Sequence, residues 1–173
     1  MQVAPLTAEH AAEYRCLMLH AYEHAPDAFT STLEERAAQP DSWWLKRIAG
    51  SREESIVFGA FNERELVGTV ALEFSNRAKT KHKVHVMGMF VAETCRGLGV
   101  GKALIQAAAE HARTRPDARV LMLTVTEGNK SALCLYEACG FKPFGVEPMA
   151  ILTSSGYQAK VHMWQSLDEN TAA

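Results

Sequence analysis

The stretch V-A-E-T-C-R-G-L-G-V-G-K-A-L, residues 91–104, decides how the rest of the chain is read. It follows an apolar run over residues 84–91, the right length for a buried strand. It leads into apolar residues at Leu104, Ile105, Ala108 and Ala112, a helical spacing that Pro116 ends. Between strand and helix, Gly97, Gly99 and Gly101 alternate with Leu98 and Val100. A turn so rich in glycine leaves backbone N–H groups uncovered and free to point outward. The first turn of the helix adds further unpaired N–H groups and a partial positive charge of about half a unit. Arg96 at the lip adds a full charge. The combination is a seat for phosphate. By itself the turn also suits a tight connection that holds no ligand.

Two known phosphate loops do not fit. A Walker-type loop needs a glycine five places before its Gly-Lys pair and a Ser or Thr after it. Here Arg96 stands in the first position and Ala103 in the last, so the magnesium-binding hydroxyl is missing. A dinucleotide loop needs G-x-G-x-x-G, but the third glycine falls on Lys102 or Leu104. The pattern that does fit is R-x-x-G-x-G, from Arg96 to Gly101.

A second motif follows one strand later. Residues 119–126 read as a buried strand, and residues 129–141 read N-K-S-A-L-C-L-Y-E-A-C-G-F. Asn129 is a good N-cap and Gly140 a good residue just past a helix end, with Pro143 beyond. Ala132, Leu133, Leu135 and Tyr136 form the apolar stripe. The bland reading is a capped helix with a tyrosine in the core. With R-x-x-G-x-G, however, the pattern N-x-x-A-x-x-L-Y-x-x-x-G-F resembles the paired signatures of the GCN5-related N-acetyltransferases (GNAT), in the family's order. The resemblance is firm from about residue 56 to 167 and loose before that.

The resemblance implies an α/β fold: a mixed, mostly antiparallel sheet of six to seven strands with splayed central parallel strands, flanked by about four helices. It implies acetyl-CoA as co-substrate, its diphosphate on Arg96, Gly97, Leu98, Gly99, Val100, Gly101 and Lys102. Gly88 interrupts the central strand, as a bulge would. In the family such a bulge splays the strand, so the main chain of Met89, Phe90 and Val91 is expected to bond the pantetheine arm and to polarise the thioester carbonyl. Asn129 and Ala132 are expected on the coenzyme arm. Tyr136 is expected to donate a proton to the departing sulfur, as the family's tyrosine does. Dimers are common in the family, but no residue here fixes an oligomeric state.

Composition sets the outer bounds. The chain has 173 residues, 47% hydrophobic and 22% charged, which suits one domain over residues 1–173 with a real core. A net charge of −2 gives a nucleic-acid role no electrostatic support. No run is long enough to span a membrane, and no basic-then-apolar leader opens the chain, so a cytoplasmic location is expected. Cys16, Cys95, Cys134 and Cys139 are scattered through a core-rich domain and read as free thiols.

Elsewhere the chain carries less chemistry. A short strand near Val3 precedes a helix with Thr7 as N-cap and Tyr14, Leu17 and Met18 at helical spacing. A second helix is expected over about 31–38, and Asp41 or Ser42 is expected to cap a third. In the resembled family this region borders the acceptor site, so Phe29 and Trp43 are either its walls or plain core aromatics. Cys16, His20 and His24 share one helix face, but a zinc site needs a further ligand, and no metal is expected. Residues 55–61 and 66–74 form a hairpin, and residues 142–146 and 159–167 are the last strands.

An alkyl amine titrates near ~10.4, so acetyl transfer to it needs a base at neutral pH. Glu73, His85 and Glu147 are the candidates, each equally readable as an ordinary polar residue. The expected activity is acetyl transfer to an amine of a small molecule or peptide, directly within a ternary complex. A coenzyme-binding protein without turnover is the alternative.

Overall fold

Strand β4 (Lys83–Val91) lies at the middle of a seven-stranded sheet. The computed structural model describes residues 1–168. On one side of β4 lie β3 (Glu65–Phe74), β2 (Ser55–Asn62) and β1 (Gln2–Pro5), all antiparallel. On the other side lies β5 (Val120–Thr126), the one parallel neighbour, then β7 (Gly156–Ser166) and, at the edge, β6 (Lys142–Thr153). The helices are α1 (Ala11–His24), α2 (Leu33–Ala37), α3 (Asp41–Ala49), α4 (Val100–Arg113) and α5 (Lys130–Ala138).

Each face of the sheet carries its own core. Helix α4 buries Val100, Leu104, Ile105, Ala108, Ala109 and Ala112 against one face, with Tyr136 of α5 in the same cluster. This is one stripe of an amphipathic helix, and its alanines let the backbone approach closely. Helices α1 and α3 cover part of the other face with Tyr14, Met18 and Trp44, each about 1% exposed.

Two irregularities in β4 shape everything that follows. Pairing with β3 passes from Ala71↔Met87 to Thr69↔Phe90, so β4 holds one extra residue. The bulge falls at Gly88, whose φ of +59° favours glycine. It resets the alternation of side chains: Met87 packs on the α1 side, Met89 and Val91 on the α4 side, and Phe90 on the α1 side again. The second irregularity is that pairing with β5 covers Lys83↔Val120, Val84↔Leu121 and His85↔Met122 and then stops. Beyond His85 the parallel strands diverge, while β5 stays paired to β7 as far as Thr126.

Most boundaries match the sequence reading, with corrections at β6, at β7 and at the cap of α3. Strand β6 runs to Thr153 rather than ending near residue 146, and β7 starts at Gly156 rather than 159. Pro143, Gly145 and Pro148 break the alternation that marks a strand. An edge strand tolerates this, because one row of its N–H groups has no ladder to join. Two register shifts and Met149 at φ +52° absorb the irregularity. Helix α3 is preceded by Pro40 as N-cap, and Asp41 is its first helical residue.

One stability prediction arises in the α4 core. The His111 ring stands edge-on to Phe58 at 5.6 Å and is tilted against Phe74 at 6.3 Å. Burial, followed by the charges of Arg115 and Arg52, lowers its pKa. A base depressed in the fold contributes stability fully present above its unfolded value, near ~6.5, and lost as pH falls through the folded value. Urea unfolding at pH 7.5 and pH 5.5 should therefore show less stability loss on acidification for His111→Phe than for the wild type.

Candidate active site

The open edge of β4 has a defined pattern of donors. Ala92 N–H donates to Val67 C=O at 2.8 Å, which makes Val91–Gly68 the pair whose main-chain groups point away from each other. Val91 and Met89 therefore turn their N–H and C=O groups toward the gap beside β5. Phe90 turns its own toward Thr69 of β3. The Val91 carbonyl accepts a bond from Arg96 Nε at 3.0 Å, which leaves its N–H on the open edge.

The glycine turn continues from that edge. Gly97 and Gly99 have φ of +77° and +80°, and a Cβ at either would meet nothing within 4 Å. Glycine is required there by backbone conformation, not by crowding. Leu98 between them is 69% exposed. Gly99 is the N-cap of α4 and supplies no side-chain cap, so the first-turn N–H groups stay free. Gly101 differs: a Cβ there would lie 2.9 Å from Leu135 Cδ2 and 3.2 Å from the Met89 side chain, so it lets α4 pack against α5. Val100 is buried, whereas Lys102 is exposed and borders a polar cleft of about 380 Å³ shared with Cys139 and Gln165.

Arg96 is held from two sides. Besides the Val91 carbonyl it pairs with Glu93 at 2.9 Å, and its guanidinium lies 5.6 Å from the Phe90 ring. Glu93 also accepts from His20 Nε2 of α1 at 3.0 Å. That bond, then the main chain of Glu93 and the charge of Arg96, hold the Glu93 carboxyl below the usual carboxylate range. His20 is thus turned to Glu93 and stacked on His24 at 4.0 Å. Among the described residues, no three His, Cys, Asp or Glu side chains converge as a metal site would require.

Helix α5 closes the gap from the α4 side. Asn129 Oδ1 accepts from Ala132 N–H at 3.2 Å and from the Ser131 hydroxyl at 3.1 Å, so the carbonyl end of the amide is committed to the cap. Ala132 is half-buried against the α4 core. Tyr136 is 7% exposed and stands edge-on to Phe141 at 5.7 Å. It belongs to the same buried cluster as Val86, Leu123 and Val125, the residues on either side of the divergence. Burial, and secondarily the nearby Cys139, raise its phenol far above the ordinary value, so it stays protonated.

On the opposite face the residues sort by register. Glu73 and His85 are cross-strand partners, both exposed, at the root of the gap where β4 still pairs with β5. Glu147 lies on β6, and its carboxylate accepts from His162 Nε2 of β7 at 3.0 Å. His162 was not singled out from the sequence. Its signal was the strict alternation of Gln158, Lys160 and His162 with Ala159, Val161 and Met163, which marks the outward face of a strand.

Two clefts flank the connection between α1 and α2. One, of about 450 Å³, is lined by His24, Asp27, Thr126, Glu127, Asn129 and Gln158 among others. The other, of about 360 Å³, includes Glu23, Asp27, Phe29, Glu34 and the β6–β7 turn. Asp27 borders both, and its carbonyl is pinned by the Thr126 hydroxyl at 2.6 Å. Among the described residues, no lysine or arginine lines either cleft. Phe29 is a wall residue of the second cleft. Trp43 lines neither and packs instead on Trp44 and beneath Arg36 and Arg47.

Comparison with known proteins accords with this geometry. A sequence model of the acetyltransferase (GNAT) family matches residues 18–141. Streptothricin acetyltransferase from Escherichia coli is 35% identical over 99 residues, covering 56% of this chain and 53% of that protein. The match therefore spans about half the length of the curated relative. Among solved structures, smu.2055 from Streptococcus mutans UA159 superposes with a TM-score of 0.82 at 16% identity, over 97% of this chain and 100% of that one. The yncA protein of Salmonella typhimurium, solved with acetyl-CoA, gives 0.80 at 17% identity, over 100% and 97%. A phosphinothricin acetyltransferase from Sinorhizobium meliloti, in complex with acetyl-CoA, gives 0.79 at 18% identity, over 99% and 91%. At these identities the structural likenesses establish the fold.

Proposed function

Because the chain belongs to the GNAT acetyltransferase family, we propose that it moves the acetyl group of acetyl-CoA to a primary amine of a cationic small molecule or peptide, directly within a ternary complex. The observation that carries the reading is a pair of donor sets side by side: the N–H groups of Met89 and Val91 on the open edge of β4, and those of the left-handed glycine turn and the uncapped start of α4. An extended edge suits the amide-bearing pantetheine arm, and a cluster of amides at a helix start suits a diphosphate. The residues present therefore fit the coenzyme, which supplies an acetyl thioester.

In this reading the amides of residues 97–102 hold the diphosphate, and Arg96 adds its charge at the rim. The Val91 and Met89 N–H groups align the arm, and the nearest of them stabilises negative charge on the carbonyl oxygen. Asn129 and Ala132 flank the arm from α5. Tyr136, neutral and buried, donates a proton to the departing sulfur.

The acceptor enters from the α1 side. Both clefts there carry carboxylates and, among the described residues, no lysine or arginine. That arrangement favours a substrate bearing ammonium groups besides the one that reacts. The relative that acts on streptothricin is consistent with such a substrate, and peptide amines fit the same chemistry. The test is release of free thiol from acetyl-CoA with a panel of amines. Turnover with at least one cationic amine is expected; coenzyme binding without turnover across the panel would establish the non-catalytic alternative. Asp27→Asn is expected to raise KM for a diamine about tenfold, the equivalent of ~1.4 kcal/mol, with KM for a monoamine little changed. Equal effects on both would remove Asp27 from acceptor recognition.

A further inference from the structure

The acceptor face of the sheet holds one pair of side chains that the reading above does not use. His162 lies on β7 opposite Thr124 of β5 and Gly145 of β6. Thr124 is two residues beyond Met122, the last β5 residue paired to β4, so His162 is level with the start of the gap. Met163 points into the α4 core, and the alternation of a strand places His162 on the face of α1 and the two acidic clefts. Lys160, the next residue on that face, reaches Thr30 of the α1–α2 connection at 2.8 Å.

The chemistry of the pair follows from its atoms. A carboxylate only accepts hydrogen bonds, so Glu147 Oε2 at 3.0 Å places the ring proton on Nε2. Nδ1 then carries the lone pair, and among the described residues no group bonds to it. Phe144 stands edge-on to the ring at 5.8 Å and limits its rotation. The imidazole is thus held in one tautomer with its basic nitrogen free, while its side chain stays 33% exposed. Among the described residues, no side chain fixes His85 or Glu73, at the root of the gap, in this way.

Resting on the acetyl-transfer reading, we propose that His162 is the general base for the acceptor amine and that Glu147 is its positioning residue. Nδ1 takes a proton from the substrate ammonium, and the nitrogen lone pair forms the N–C bond to the thioester carbon. The C–S bond then breaks with its electron pair leaving on sulfur, and Tyr136 supplies the proton that makes the thiol. Of the three ammonium protons, one stays on the amide. One passes through His162 to solvent, and one, lost from the tetrahedral adduct, replaces the proton given by Tyr136. The charged and titratable groups sharing this face with His162 are Glu147 on β6, Lys160 on β7, His85 and Glu73 beyond β5, and, in the two clefts, Glu23, His24, Asp27, Glu34 and Glu127.

The experiment is the pH dependence of kcat/KM from pH 6 to pH 10 at saturating acetyl-CoA, with the alkyl amine that the wild type acetylates best. His162→Ala is expected to lose about 10²-fold at pH 7. The deficit should shrink to within about threefold near pH 10, where the amine approaches its own pKa and needs no base. Glu147→Gln should show a smaller loss with the same narrowing, and KM for acetyl-CoA should hold in both. An exposed pair contributes little to stability, so both variants should fold; His162→Gln serves if the alanine variant does not. A deficit constant across pH would overturn the assignment and leave acetyl transfer standing, as would a pH-dependent loss in His85→Ala with none in His162→Ala. Absence of wild-type turnover on every amine would remove both readings together.

Discussion

Replacing Tyr136 with phenylalanine is expected to lower kcat by about 10²–10⁴-fold while the Kd for coenzyme A moves by less than about threefold. The substitution removes one oxygen from a side chain that is 7% exposed. The ring keeps its place in the α4 core and its edge contact with Phe141 at 5.7 Å. Among the described residues no group hydrogen-bonds to the hydroxyl, so its loss orphans nothing and the melting temperature should hold. What disappears is the proton donor. Burial, and then the neighbouring Cys139, hold the phenol well above its ordinary range near ~10, so the wild-type donor stays protonated throughout the working range. The same shift has a stability consequence. A group whose pKa is raised by folding contributes fully below its unfolded value, and the contribution drains away as pH rises toward the folded value. Steady-state kinetics with coenzyme titration calorimetry would separate the outcomes. A kcat within about threefold of wild type would remove Tyr136 from the chemistry.

The second large effect is expected at the glycine turn. The double variant Gly97→Val, Gly99→Val should weaken coenzyme A binding about 10³-fold. Both residues hold a left-handed φ, +77° and +80°, which a β-branched residue adopts only at a cost of roughly 1–3 kcal/mol each. The chain would relax to an ordinary conformation and carry its N–H groups with it. Recovering the binding geometry would cost both strains, and ~1.4 kcal/mol is tenfold in affinity. A Cβ at either position meets nothing within 4 Å, so no clash adds to the backbone strain, and relaxation of the turn should keep the stability loss of the uncomplexed fold below the sum of the two strains. Gly101→Leu is the contrasting control: its Cβ alone would lie 2.9 Å from Leu135 Cδ2 and 3.2 Å from Met89 Cε, so the larger side chain has no room between α4 and α5 and should lower the melting temperature first. Calorimetry with coenzyme A and thermal unfolding of both variants check the pattern. Affinity of the double variant within tenfold of wild type would mean that the amides of this turn do not hold the ligand.

Local signals were legible before any coordinates. Gly97 and Gly99 between an apolar run and a helix announced the turn, and Asn129 followed by Ala132 announced the cap. Both depend on the conformation of a few adjacent residues. Gly88 inside an apolar strand likewise marked the bulge, which the Ala71↔Met87 to Thr69↔Phe90 register step locates. The base was not legible in this way. Three candidates stood open because each was simply a polar residue near the central strands. Edge strand β6 was read as half its length, since Pro143, Gly145 and Pro148 hide a strand that only its partner sustains.

The amino-acid order by itself determined the glycine turn, the two helix starts beside the gap, the bulge and the family, because backbone conformation and capping are set within a few residues. Only the tertiary structure decided that β4 and β5 part after His85, that Val91 and Met89 rather than Phe90 turn their amides to the gap, and that His162 meets Glu147. Those facts depend on strand register. Register is set by bulges and by the packing of both sheet faces at once, and a one-residue slip sends every side chain to the opposite side.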